Sequence, residues 1–379
     1  MDLHEPWALL GGLTPRQFMR RHWQRAPLLV RQAWPGVTPP VARAELFGLA
    51  ARDDVESRLV VRDDSRDPAW QLRRGPFARR ALPALRRAGW TLLVQGLDLH
   101  VERAHQMLSA FRFVPDARLD DLMVSYATDG GGVGPHLDSY DVFLLQVQGR
   151  RRWRVGPVPD ESLVEGMPVR ILRNFRPQQE WVLEPGDMLY LPPRWGHDGV
   201  AIGECMTCSI GFRVPEAASL AGELLARIAD HDEDVRGGLY RDPQQEPTDR
   251  PGRIPARLQA FARHAVARRL REPRALLQAL GEVLTEPKPQ VWFDGQGVLA
   301  PGQGVRLDRR TRMMYDEHHV FINGESYRAG GRDARLMASL ADKRHLRVAE
   351  VQGCSPAASG LLAEWVAQGW VHPLDAGDD

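Results

Sequence analysis

The stretch GPHLDSYDVFLLQVQGRRRWRVG (134–156), read together with LEPGDMLYLPPRWGHDGVA (183–201), decides the fold. Both consist of apolar or alternating runs broken by Gly, Pro and Asp, the pattern of short β-strands joined by turns. In the first, His136 and Asp138 stand two apart. On a strand such residues project to one side, so both can grip one ion while Leu137 points away. In the second, His197 follows a turn, a strand and a Pro-Pro exit, at the interval of a barrel crossing. Two imidazoles and one carboxylate are the set that holds a redox-active Fe(II) on one face and leaves the other open for a co-substrate and oxygen.

A lone His-x-Asp is weak, because a surface His beside a turn Asp gives the same tripeptide. The neighbours add weight. The preceding loop DGGGVGP (129–135) lets backbone crowd a ligand without interference from Cβ atoms. Asp141 and Asp198 are carboxylates expected to orient the imidazole N–H groups. In GRRRWRVG, alternation puts Arg150, Arg152 and Arg154 on one face and Arg151, Trp153 and Val155 on the other. An inward Arg151 needs an anion, since an unpaired buried charge is costly. A dicarboxylic co-substrate supplies one, and a guanidinium fork suits it. The competing reading is a solvated basic edge with Arg151 paired to a protein carboxylate.

Outward from this centre, residues 121–214 read as strands throughout: DDLMVSYA, DVFLLQVQ, RRRWRVG, EWVLEPGDMLYLPP and CMTCSIGFRV. Many short strands suggest a double-stranded β-helix, or jelly roll. Upstream, Thr14-Pro15 opens a helix carrying Phe18, Met19, His22 and Trp23; APLLVRQA and WTLLVQGLDLH read as strands, and Val101–Phe111 as a helix. After Pro215, EAASLAGELLARIADH and the run from Ala256 to Leu284 are helical, separated by a Pro- and Gly-rich loop over 236–255. A third segment starts near Glu286, with strand-like VWFDG (291–295), an Asn-Gly hairpin in HHVFINGESYRAG and two short helices.

The chain has 379 residues, 43% hydrophobic and 26% charged, as expected of a globular protein of two or three domains. A net charge of +1 gives no reason to expect direct nucleic-acid or membrane-surface partners. Three cysteines make no disulfide framework and point to a reducing cytoplasm. The N-terminus lacks a secretory pattern, and no apolar run reaches the roughly twenty residues that span a bilayer. Cys205 and Cys208 have C-x-x-C spacing but no second pair for Zn, and read as buried structural thiols. His318-His319 reads as surface, and the Arg263, Arg268, Arg269, Arg271 helix as a solvated face rather than an RNA contact. GGGVG lacks the Lys-Ser/Thr of a phosphate loop.

Together GGGVGPHLDSYDVFLLQVQGRRRWRVG, LEPGDMLYLPPRWGHDGVA, SIGFR and the opening LGGLTPRQFMRRHWQRAPLLVRQA resemble the bacterial ribosomal oxygenases of the JmjC group. The likeness is strongest over about 1–215. It implies an α+β chain: a mainly β JmjC jelly roll (1–215), a helical dimerisation region (216–285) and a winged-helix-like domain (286–379). It implies Fe(II) on His136, Asp138 and His197, and 2-oxoglutarate with its distal carboxylate on Arg151 and a further contact from Thr207. O2 would be the oxidant. The substrate would be an arginine of a large-subunit ribosomal protein, hydroxylated at its β-carbon, in a pocket of Asp121, Met123, Tyr140 and Ser209, with Asp121 facing the guanidinium. A cytoplasmic homodimer is the expected form. The rivals are another JmjC hydroxylase or demethylase, with an aromatic cage in place of the acidic floor, a cupin-type metal protein without oxygen chemistry, and a nucleic-acid-binding regulator.

Overall fold

In the computed structural model the described residues are 2–230, 239–244, 247, 252–270 and 273–375. Residues 236–238, 245, 246 and 248–251 of the expected loop over 236–255, and Arg271, lie outside them. The chain forms two compact units, 1–214 and 215–379. Among the described residues no helix is long and apolar enough to cross a membrane.

The first unit contains α1 (Pro15–Arg21), β1 (Leu28–Val30), α2 (Arg43–Leu49), β2 (Ser57–Arg62), β3 (Trp70–Arg74), β4 (Trp90–Val94) and α3 (Glu102–Ser109). These are followed by β5 (Leu119–Ala127), β6 (Val142–Pro157), β7 (Gln179–Leu183), β8 (Met188–Leu191) and β9 (Trp195–Phe212). All nine strands join one antiparallel sheet in the order β1-β8-β6-β9-β5-β4-β2-β3, with β7 on β6. Thr14 starts α1 through a reciprocal cap: its hydroxyl accepts from Gln17 N at 3.1 Å and Gln17 Oε1 accepts from Thr14 N at 3.0 Å. The helix drives Phe18 into an aromatic cluster with Phe143 and Tyr190, at 5.4 and 4.9 Å between ring centres. Each large side chain buried there contributes roughly 1.5–3 kcal/mol.

DVFLLQVQ and RRRWRVG are not two strands but the halves of β6. The first half lies between β8 and β9, the second between β7 and β9. The Gly that reads as a turn is instead part of a bulge: the register with β9 shifts between Gln146 and Arg150, and Gly149 takes φ +62°. WGHDGVA likewise joins CMTCSIGF in a single β9. The bulge changes which residues face inward. Before it Val142 and Leu144 line the interior; after it Arg151 and Trp153 do. Phe143, Leu145 and Val147 pack into the other core, with α1 and α3. Cys205 and Cys208 belong to different buried clusters, on the two faces of β9, and burial pushes the Cys208 thiol up.

The second unit holds α4 (Ala217–Asp230), α5 (Ala256–Leu270), α6 (Pro273–Thr285), β10 (Gly304–Leu307), β11 (Met313–Tyr315), β12 (His319–Ile322) and β13 (Glu325–Arg328). It ends with α7 (Gly331–Lys343), β14 (His345–Leu346), α8 (Val348–Val351), α9 (Pro356–Ala367) and β15 (Val371–Leu374). Within the long helical run residues 256–270 and 273–285 are helical, and VWFDG is not a strand. The Asn-Gly hairpin forms with both turn residues left-handed, Asn323 at φ +49° and Gly324 at +87°. His319 is buried rather than on the surface, because its strand pairs on both sides and Asp316 accepts at 3.3 Å from its ring; His318 is exposed. The C-terminal helix of the helical run, α6, packs on the hairpin. Gly281 lies against the Phe321 ring, and Gln278 Nε2 donates to Ser326 Oγ at 2.9 Å.

Candidate metal and co-substrate site

The interior of the first unit is a cavity of about 440 Å³ walled by alternate residues of successive strands. Val60 comes from β2, Thr91 from β4, Asp121, Met123 and Ser125 from β5, and Ser209 from β9. His136 sits in the loop between β5 and β6 and is tied to β9 by a two-way bridge: His136 N donates to His197 O at 3.0 Å and His197 N to His136 O at 2.8 Å. The rings lie 4.2 Å apart between centres. Asp138 Oδ2 is 3.6 Å from His197 Nε2, and its carbonyl accepts from Arg194 N at 2.8 Å. Ligand atoms of the three residues lie within 4.8 Å of one another, so they converge where one ion fits. The bridge, rather than a regular strand, provides the alignment, and Gly132 permits it: a Cβ there would come within 2.5 Å of Gly199 O.

The ring orientations are set by backbone. His136 Nδ1 donates to Gly134 O at 2.8 Å and His197 Nδ1 to Trp195 O at 3.1 Å. A carbonyl only accepts, so each Nδ1 carries the proton and each Nε2 lone pair is left for a cation. Burial first, then the nearby His136 imidazole, pushes His197 down to about 4, which keeps it neutral and able to ligate at neutral pH. Asp141 and Asp198 do not orient these rings, contrary to expectation. Asp198 follows His197 on a strand, points the other way and pairs with Arg154. Asp141 is fully buried and accepts from Tyr190 Oη at 2.5 Å and Gln24 Nε2 at 3.1 Å, tying the N-terminal segment to the barrel.

Arg151 reaches the same cavity and is only 4% exposed. Its Nη1 donates to Ser125 Oγ at 3.2 Å, and its guanidinium lies 5.7 Å from the centre of the Trp153 ring. Among the described residues neither Nε nor Nη2 has a hydrogen-bond partner. A buried cation left this way costs several kcal/mol unless an anion arrives. The donor set and the orphaned guanidinium therefore fit a divalent metal with a dicarboxylate co-substrate.

A JmjC-domain family model matches residues 106–220 and a ROXA-like winged-helix model matches 260–372. The ribosomal protein uL16 3-hydroxylase of Escherichia coli K12 is 35% identical over 283 residues, 72% of each chain. The crystal structure of E. coli YcfD aligns with a TM-score of 0.82 at 30% identity over 95% of this chain and 98% of that one. A second structure, of YcfD as a ribosomal oxygenase with cobalt and 2-oxoglutarate, aligns at 0.79 and 29% identity with the same coverage. The chain belongs to the bacterial JmjC-type ribosomal oxygenases. It is a 2-oxoglutarate-dependent oxygenase with a metal centre.

The remaining expected residues of this oxygenase divide. Asp121, Met123, Tyr140 and Ser209 all line the cavity, and Met123 and Ser209 are directly paired across β5 and β9. Tyr140 is 39% exposed, and burial of its hydroxyl, then the Asp138 and Asp121 carboxylates, push its pKa up. Thr207 is different. It is fully buried, its hydroxyl donates to Gln146 Oε1 at 2.8 Å, and it is not part of the cavity wall. Ser125, its cross-strand partner, takes the place beside Arg151. Ser125, Gln95 and Arg58 were missed by motif reading. The period-2 run from Asp121 through Met123 is the signal that would have reached Ser125.

Proposed function

We propose that this oxygenase hydroxylates the β-carbon of an arginine in a large-subunit ribosomal protein. The observation that carries the reading is the orphaned Arg151 guanidinium sharing one cavity with His136, Asp138 and His197. His136, Asp138 and His197 would hold Fe(II), and Arg151 the distal carboxylate of 2-oxoglutarate. When bound, the metal and 2-oxoglutarate with O2 supply the oxidation, releasing succinate and carbon dioxide. The chain's own residues orient and shield. Asp121 gives a target guanidinium an acidic floor, Met123 and Ser209 flank its methylenes, and Tyr140 closes the solvent side. An acidic floor favours guanidinium over the methyl-lysine that an aromatic cage would select.

Similarity to the E. coli uL16 3-hydroxylase supports the substrate class. We assign residues 216–285 to dimerisation and 286–379 to a winged-helix-like domain. Leu225, Phe261 and Val266, exposed on α4 and α5, suit contact with a second copy of the chain. A cytoplasmic setting follows from a ribosomal substrate. The test is mass spectrometry of ribosomal proteins incubated with enzyme, Fe(II) and 2-oxoglutarate. One arginine should gain one oxygen; no gain on any arginine overturns the reading.

A further inference from the structure

Asp121 sits in a directed chain of hydrogen bonds. Its Oδ2 accepts from Gln95 Nε2 at 2.8 Å and from Gly96 N at 2.9 Å. The other end of that amide, Gln95 Oε1, accepts from Arg58 Nη2 at 2.9 Å. Arg58 in turn faces Glu56, 3.9 Å away. Arg58, Gln95 and Asp121 come from β2, the end of β4 and β5, three adjacent strands, and all three line the cavity.

We propose that Gln95 and Arg58 are positioning residues that aim the Asp121 carboxylate at the cationic side chain of the substrate. Polarity fixes the direction of the chain. A guanidinium only donates, so Arg58 forces the Gln95 oxygen towards itself and the amide NH2 towards Asp121. A flipped amide would set its oxygen against the Asp121 carboxylate and its NH2 against the Arg58 guanidinium, two repulsive contacts. With Oδ2 engaged by the amide and by Gly96 N, the carboxylate plane is fixed and Oδ1 is turned towards Gly211 in the cavity wall. A Cβ at Gly211 would lie 3.6 Å from Oδ1. Gly96 takes φ +61°, so the N–H that completes the clamp depends on a left-handed residue. A cation held by a fixed carboxylate is recognised by direction as well as by charge, which favours a planar guanidinium over an ammonium.

This inference rests on the reading of Asp121 as the substrate's partner. The experiment uses the full chain with Fe(II), 2-oxoglutarate and an arginine peptide from a ribosomal protein, against the same peptide with lysine. In Gln95→Leu, KM for the arginine peptide should rise about tenfold, the loss of a hydrogen bond to a charged group. The preference for arginine over lysine should narrow. Peptide affinity by fluorescence anisotropy gives a second readout. Gln95→Leu should weaken it about tenfold in the native background and not further in Asp121→Asn, because the effect passes through the carboxylate. Arg58→Met, a change at a half-exposed residue that leaves the fold alone, should show the same pattern at about threefold and carries the test where Gln95→Leu does not fold. An unchanged KM, or equal losses in both backgrounds, would overturn the proposal. A wild type that binds the arginine peptide without hydroxylating it would sink the functional reading, while the affinity cycle would still decide the positioning role.

Discussion

Two buried charges, one in each unit, are handled in opposite ways. In the second unit Asp308 is 5% exposed and its carboxylate is occupied by Arg310 Nε at 2.8 Å and His372 Nε2 at 2.8 Å. In the first unit Arg151 is equally buried, yet two of its nitrogens have no partner among the described residues. The protein satisfies the first charge from its own atoms and holds the second open. A closed cluster contributes to folding; an open one is stabilised only when a ligand arrives, so it marks a binding site. His136, Asp138 and His197 belong to the open kind, their ligand atoms converging within 4.8 Å of one another.

The largest effect should come from breaking that convergence. His136→Ala or Asp138→Ala should reduce 2-oxoglutarate turnover below detection in a succinate-release assay, with the fold kept. Turnover near the native rate would reject the ligand assignment. Next comes Arg151→Met. Losing a charged, forked contact should weaken 2-oxoglutarate binding on the order of 100-fold by calorimetry. The thermal midpoint of the ligand-free protein should stay level or rise, because an unpaired buried charge has been removed. A marked fall in that midpoint would mean Arg151 is as closed as Asp308, and the contrast would fail.

Asp308→Asn tests the other side. It should destabilise the second unit by about 2–3 kcal/mol, since Arg310 and His372 lose their counter-charge. Burial alone would raise the Asp308 pKa, but hydrogen bonds from Arg310 and His372 hold it down, from 3.8 to about 2. A depressed carboxylate stabilises fully above its unfolded value and loses that contribution as pH falls towards 2. Hydrogen-exchange mass spectrometry of residues 304–315 at pH 2–5 should show this acid-dependent loosening in the native chain and not in the variant.

The contrast also explains what the sequence could and could not reveal. The meeting of His136, Asp138 and His197 was legible because His-x-Asp spacing has a geometric meaning on an extended chain. Arg151 was legible because alternation holds within RRRWRVG. Alternation counted from Leu144 would have sent Arg151 outward, and only the bulge around Gly149, which a sequence pattern reads as a turn, reverses it. Asp141 and Asp198 were misjudged for the same reason: nearness along the chain does not give the side of the strand. Asp308, Gln95 and Arg58 carry no motif. Arg310 and Glu56 are local partners, but His372 for Asp308 and the chain from Arg58 through Gln95 to Asp121 join separate strands, so their roles follow only from the assembled sheet.

Thr207 offers the smallest and sharpest test of the distinction. It lies on the inward side of β9, one pair below Ser209, and resemblance to the family suggested a contact with 2-oxoglutarate. Its hydroxyl is already committed to Gln146, whose Nε2 donates to Gln148 O at 2.8 Å beside the bulge. A satisfied group of this kind resembles Asp308, not Arg151. Thr207→Val keeps the shape and removes the donor, so Gln146 Oε1 is left buried without it. Stability should fall by about 1 kcal/mol in urea unfolding, while 2-oxoglutarate affinity changes less than about threefold, under 1 kcal/mol. An affinity loss approaching that of Arg151→Met, with unfolding unchanged, would place Thr207 among the open groups and extend the co-substrate site deeper into the barrel than Ser125.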